Sequence, residues 1–107
     1  LKGQSTAEVF QRPVRLTYIK LSQLGTLTSA IEVIMLKNGA QIDVSMYIAA
    51  GEFTSTWLAM NHTFQTNDQL AFRLVDKGAG GGQLSVQVWA AFASGEDVQP
   101  VGRLLWE

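Results

Sequence analysis

The chain holds one histidine and no cysteine, so the side chains able to do chemistry are few. His62 could act as a general base beside Asp68 or Glu52, because a neighbouring carboxylate orients an imidazole and selects its tautomer. A single histidine rules out sites that need two or more, including the usual zinc hydrolase arrangements, and a polar turn residue is ordinarily just solvated. Without cysteine there are no disulfides, thiolate zinc sites or thiol nucleophiles. The acids are dispersed, the nearest pair being Glu96 and Asp97, whereas a glycosidase needs two carboxylates facing each other across ~5–9 Å. Asp43, Asp68 and Asp76 lack the spacing of a calcium loop. Gly78, Gly80, Gly81 and Gly82 follow a strand as phosphate loops do, but another strand comes next and supplies no helix N-terminus for an anion. These residues predict a protein that is not an enzyme, with no catalytic, metal-binding or cofactor-binding residues.

Binding is then the chemistry to look for. The candidate loops carry Asn38, Asn61, His62, Asn67, Gly80 and Gly81, and Asn61-His62-Thr63 also fits a glycosylation sequon. The candidate aromatics are Tyr18, Tyr47, Trp57, Trp89 and Trp106. Tyr47 and Trp89 fall in the polar register of their strands, where an aromatic fills a subunit interface, packs locally or stacks on a sugar ring. Trp106 closes the apolar tail Leu104-Leu105-Trp106 and is the third candidate interface aromatic. Arg12, Arg15, Arg73 and Arg103 are separated along the chain, and the net charge is −1. Neither feature fits a nucleic-acid partner or an anionic membrane surface.

The elements that must position these residues are strands. Ile42, Val44, Met46 and Ile48 alternate with Gln41, Asp43, Ser45 and Tyr47, the period of a half-buried strand. Asn38-Gly39 before them suits a two-residue type I′ turn, which makes a hairpin with Ala30–Leu36. Phe53–Met60 reads as a third consecutive strand, followed by turns at Asn61-His62 and Thr66-Asn67-Asp68. Leu70, Phe72 and Leu74 define another strand, and so do Leu84, Val86, Val88, Ala90 and Phe92, with the glycine loop expected to join the two as a hairpin. Val14–Ser22 is β-prone behind Pro13, and Ser5–Phe10 is a weaker strand. No helical pattern extends over eleven residues. The predicted fold is all-β: an antiparallel two-sheet β-sandwich of seven to eight strands, jelly-roll-like or immunoglobulin-like. The sandwich domain is expected over residues 1–92, with 93–107 as a C-terminal extension packing on the domain or on a neighbouring subunit.

Composition adds a partner. The chain is 47% hydrophobic and only 16% charged, against a typical ~25% charged. A chain of 107 residues buries only about two-thirds of its unfolded surface. Self-association is therefore expected to cover part of the apolar excess. The longest uninterrupted apolar run is the six residues from Val88 to Ala93, far short of the ~20 of a membrane helix, so no membrane insertion is expected. The opening Leu1-Lys2-Gly3 has neither an initiator Met nor a signal-peptide layout, as in a domain excised from a longer chain.

The order of turns carries a resemblance. Ile31 to Gly39, Ile48-Ala49-Ala50-Gly51-Glu52, Thr66-Asn67-Asp68-Gln69-Leu70 and Gly78 to Val86 resemble a β-sandwich module of tailed-bacteriophage virion proteins. In that module a lysine-asparagine-glycine hairpin, an isoleucine-alanine-alanine-glycine turn, a glycine-aspartate-leucine lead-in and a glycine-rich loop follow one another. The likeness spans about Pro13 to Phe92 and departs at Asn67, where the module usually has glycine. It implies a virion component: a tail-fibre, receptor-binding or capsid-decorating module, often a homotrimer, contacting other virion proteins and a host-surface glycan. It transfers no catalytic residue. A carbohydrate-binding module appended to a larger enzyme is the alternative expectation from the residues.

Overall fold

Alternating β-branched and aromatic residues form eight strands and, among the described residues, no helix. The computed structural model describes residues 5, 7–24, 30–76, 84–93 and 98–106. The strands are β1 (Glu8–Val9), β2 (Val14–Leu24), β3 (Ile31–Lys37), β4 (Ala40–Ile48), β5 (Leu58–Phe64), β6 (Gln69–Asp76), β7 (Leu84–Phe92) and β8 (Gln99–Trp106). They make two four-stranded antiparallel sheets, ordered β1-β6-β3-β4 and β5-β2-β7-β8. Only β3–β4 and β7–β8 join sequence neighbours within a sheet; every other link changes sheet.

The inner faces of the two sheets form one core. Leu16, Ile19 and Leu21 of β2 and Val86, Val88 and Ala90 of β7 meet Val33 and Met35 of β3 and Leu70, Phe72 and Leu74 of β6. Phe10 closes one end, with its ring 5.2 Å from Phe64 and edge-on at 5.8 Å to Phe92. Full burial of each such side chain stabilises the fold by roughly 1.5–3 kcal/mol, and this chain has no disulfide to assist.

Three expectations change. Strands β6 and β7 do not form the expected hairpin, because β6 lies in the first sheet and β7 in the second; the glycine-rich stretch between them lies outside the described residues. Crossing sheets sets the apolar sides of β6 and β7 against each other, whereas a hairpin would leave both on one layer. Phe53–Met60 is not a third strand beside β4: Thr54 makes an isolated bridge to Ser22, and β5 then runs from Leu58 in the other sheet. The turn expected at Asn61-His62 is consequently strand. The segment from Gln99 onward packs on the domain, one of the two placements expected for it: it is β8, hydrogen-bonded along β7, and it sends Val101 and Leu104 into the core. The sheet therefore runs past Phe92, because Val101 and Leu104 find their apolar surroundings inside the sandwich.

Of the four register shifts among the described residues, two set what points outward from β2 and β4. Pairing of β3 with β4 shifts between Val33 and Met35, where three residues of β4, Asp43–Ser45, oppose Ile34 alone. Asp43 takes φ 63° there, and Val44, expected on the dry face, is 76% exposed. On β2 the register shifts between Leu16 and Tyr18. Both Leu16 and Ile19 therefore point inward, and Tyr18, Lys20 and Ser22 are left outside. The Thr17 hydroxyl donates to the carbonyl of Ala91 at 3.0 Å and ties the bulge to β7. Bulges of this kind reverse side-chain alternation.

Opposite the bulged edge, Ser5 binds Phe72 twice: its backbone N–H donates to the Phe72 carbonyl, and its hydroxyl accepts from the Phe72 N–H, each at 2.9 Å. Gly102 of β8 makes room for this contact, since a Cβ there would lie 3.1 Å from the Phe72 ring and 3.4 Å from Ser5. Phe72 is fully buried and has little room to retreat. Gly102→Val is expected to cost about 1–3 kcal/mol and to speed amide exchange at Phe72. Chemical denaturation with hydrogen-exchange mass spectrometry checks both; wild-type values would mean that Phe72 and Ser5 yield freely.

Candidate binding face

Two surfaces gather polar or aromatic residues. The first joins the loops at the end closed by Phe10. Asn38 (φ 53°) and Gly39 (φ 86°) form the left-handed turn the sequence predicts. The Asn38 amide donates to Asp68 Oδ1 at 3.0 Å, and its oxygen accepts from the Gln69 N–H at 2.9 Å. Asp68 Oδ2 also accepts from the Gln65 N–H at 2.7 Å, with Lys37 Nζ at 3.9 Å. Asn67 takes φ 73°, a left-handed conformation that asparagine tolerates, and its N–H donates to the carbonyl of Phe10 at 2.8 Å. The polar side chains of Asn38 and Asp68 are thus spent on holding two loops together.

His62 belongs to the same side of the molecule. It stands on β5, and its Nε2 lies 2.7 Å from Asp43 Oδ2, not beside Asp68 or Glu52. The pair links the edge strands β4 and β5 of the two sheets, and Lys37 Nζ on β3 also bridges to β5 by donating to the carbonyl of Thr63 at 3.0 Å. Among the described residues no hydroxyl bonds to His62, and no cluster of three His, Asp or Glu side chains could hold a metal. Asn61 is exposed on β5. Gly80 and Gly81 lie outside the described residues, as does the Trp106 side chain, although the Trp106 backbone pairs with Leu84.

The second surface is the outer face of the β5-β2-β7-β8 sheet. Its register sets Tyr18 between Ala59 and Ala91, Lys20 beside Trp89, Trp89 beside Pro100, and Ser22 beside Gln87, which pairs with Arg103. Tyr18, Trp57, Ala91 and Val98 line a groove of about 370 Å³. Tyr18 is 47% exposed and Trp57 41%. Trp57 is placed by Ser55, which exchanges backbone bonds with Leu21, its N–H donating to the Leu21 carbonyl and its hydroxyl accepting from the Leu21 N–H, each at 2.9 Å. Lys20 Nζ sits 5.7 Å from the Trp57 ring centroid, a cation–π distance. Trp89 is half-buried, and its indole N–H donates to Ser22 Oγ at 3.1 Å. Beyond Ser22, a pocket of about 180 Å³ is bordered by Phe53, Thr54, Ser85, Gln87 and Arg103.

Of the expected aromatics, Trp89 belongs to this face, while Tyr47, 54% exposed on β4, lies on the other sheet. The two do not share a surface. Tyr18 and Trp57, two of the candidate aromatics, join Lys20 and Arg103 on this face. The alternation Tyr18-Ile19-Lys20-Leu21-Ser22 signals two of them, but Trp57 and Arg103 join only through strand pairing. Gln23 was unanticipated inside the sandwich: its Nε2 donates to the carbonyl of Glu52 at 2.7 Å, and its buried Oε1 has no partner. No protein-family model, curated protein or solved structure matches the chain.

The loop cluster generates a pH dependence. The hydrogen bond from His62, with that from the Val44 N–H, holds the Asp43 carboxyl below its ordinary value of 3.8; bonds from Asn38 and the Gln65 N–H do the same for Asp68. The unfolded chain therefore binds more protons in acid. The stability these carboxylates contribute is complete above pH 3.8 and falls as pH drops through their folded values. Asp43→Asn with Asp68→Asn should flatten the acid limb of denaturant midpoint against pH. An unchanged acid limb would assign the dependence to other carboxylates.

Proposed function

We propose that this domain is a non-enzymatic structural module of a tailed-phage virion, used in a tail fibre, a receptor-binding assembly or a capsid decoration. The turn motifs from Ile31 to Val86 support the virion assignment through their resemblance to such modules. The observation that carries a contact role is the groove of Tyr18, Trp57, Ala91 and Val98. It opens on a paired, well-packed sheet, and an exposed apolar surface on a rigid scaffold is a contact surface.

The two outer faces have different roles in this proposal. Val44, Tyr47 and Val75, all exposed on the β1-β6-β3-β4 sheet, are the apolar positions that self-association into a homotrimer would cover. The opposite sheet stays free for an external partner. A second reading, a carbohydrate-binding module of a larger enzyme, is favoured by Tyr18, Trp57 and Trp89 standing on one face, since aromatic bodies with polar tips suit sugar rings.

Light scattering over a range of concentrations tests the module reading. Wild type should show a concentration-independent trimeric mass. Val44→Ser with Tyr47→Ser should shift it to monomer, and Tyr18→Ser with Trp57→Ser should leave it trimeric. A wild-type monomer at every concentration would sink the trimer and move weight to the carbohydrate-binding reading.

A further inference from the structure

We propose that the outer face of the β5-β2-β7-β8 sheet binds a glycan that carries carboxylate groups; this rests on the reading of that face as the free recognition surface. The ligand class follows from how charge is divided between the sheets. Strands β2, β5, β7 and β8 contain no aspartate or glutamate, yet they carry Arg15, Lys20 and Arg103. Strands β1, β3, β4 and β6 carry Glu8, Glu32, Asp43 and Asp76 against Lys37 and Arg73. A chain of net charge −1 thus shows one cationic sheet face. Among the described residues, Arg15, Lys20 and Arg103 form no ion pair. Unpaired cations around aromatic rings attract an anionic ligand with apolar faces of its own.

Geometry narrows the class further. At about 3.3 Å per residue, Arg15 and Ser22 stand roughly 20 Å apart along β2. Over that length the face passes from Arg15, through the Tyr18–Trp57 groove with Lys20 at its side, to the pocket that Phe53 and Arg103 border. Pyranose rings offer apolar C–H faces to the aromatics and hydroxyls to Gln87, Ser22 and Ser85, which both donate and accept hydrogen bonds. Carboxylates fit the planar fork of Arg103. A single-stranded nucleic acid would instead need a run of cations that tracks every phosphate. Here the cations are only three, Arg15, Lys20 and Arg103, spread over two strands.

The test is affinity electrophoresis of the intact chain through gels containing polygalacturonate, neutral dextran or oligothymidylate. Polygalacturonate should retard the protein, and added salt should weaken the effect, since the screening length falls to about 3 Å at 1 M. Lys20→Gln and Arg103→Gln should each weaken retardation about three- to tenfold. Trp57→Ala should weaken it at least as much, while Arg73→Gln on the opposite sheet should not. Equal retardation by dextran, stronger retardation by oligothymidylate, or none by polygalacturonate overturns the ligand assignment. Light scattering on the same samples separates the two failures. Loss of retardation with a trimeric mass leaves the module reading standing, whereas loss of both removes it too.

Discussion

Mutual burial of two apolar sheet faces is the constraint on which everything else here depends. The chain has no disulfide, and among the described residues no metal cluster, to add stability. Its strands must therefore be divided so that each inner face covers the other. That requirement explains why the chain changes sheet at five of the seven links between strands and why β6 and β7 are not a hairpin. It also explains what happens at the margins. A sandwich is open along its sides, and water entering there would wet the core. One side is closed by Asp43 with His62 and by Lys37 with Thr63; the other by Ser5 packed against Phe72 and Gly102. Phe10 fills the end between Phe64 and Phe92.

The polar residues of the loop end serve this closure. Asp68 receives bonds from two loops, and Asn38 bonds to Asp68 and Gln69 on the facing loop. Exposed polar residues in turns invite a reading as ligand contacts, yet side chains already engaged with each other have few donors and acceptors left to offer. The outer face of the β5-β2-β7-β8 sheet is different, because Tyr18 and Trp57 stand 47% and 41% exposed and, among the described residues, Arg15 and Arg103 form no ion pair. Packing makes the inward positions of each strand apolar and leaves the charge on outward positions unconstrained by stability. Such charge can be segregated by sheet at small cost, since exposed pairs contribute little.

Local features carry what was legible beforehand. Period-two alternation identifies β4, β6 and β7, and Asn38-Gly39 identifies its hairpin, because both depend on residues close in the chain. The reading fails where one extra residue matters. Thr17 inverts the alternation of β2, and Asp43–Ser45 expels Val44 from the dry face. It fails again where the partner is distant: His62 binds a carboxylate 19 residues away, and Trp89 a hydroxyl 67 residues away.

The sequence by itself therefore determined an all-β sandwich, its two-residue turn at Asn38-Gly39 and the shortage of catalytic side chains, because composition and nearest neighbours decide these. The tertiary structure alone decided the sheet assigned to each strand, the enrolment of β8 and the gathering of Tyr18, Trp57, Lys20 and Arg103 on one face. The physical reason is that strand pairing is non-local. Alternation states which side of a strand is dry, whereas the identity of its neighbour is settled only when all inner faces compete for the same core.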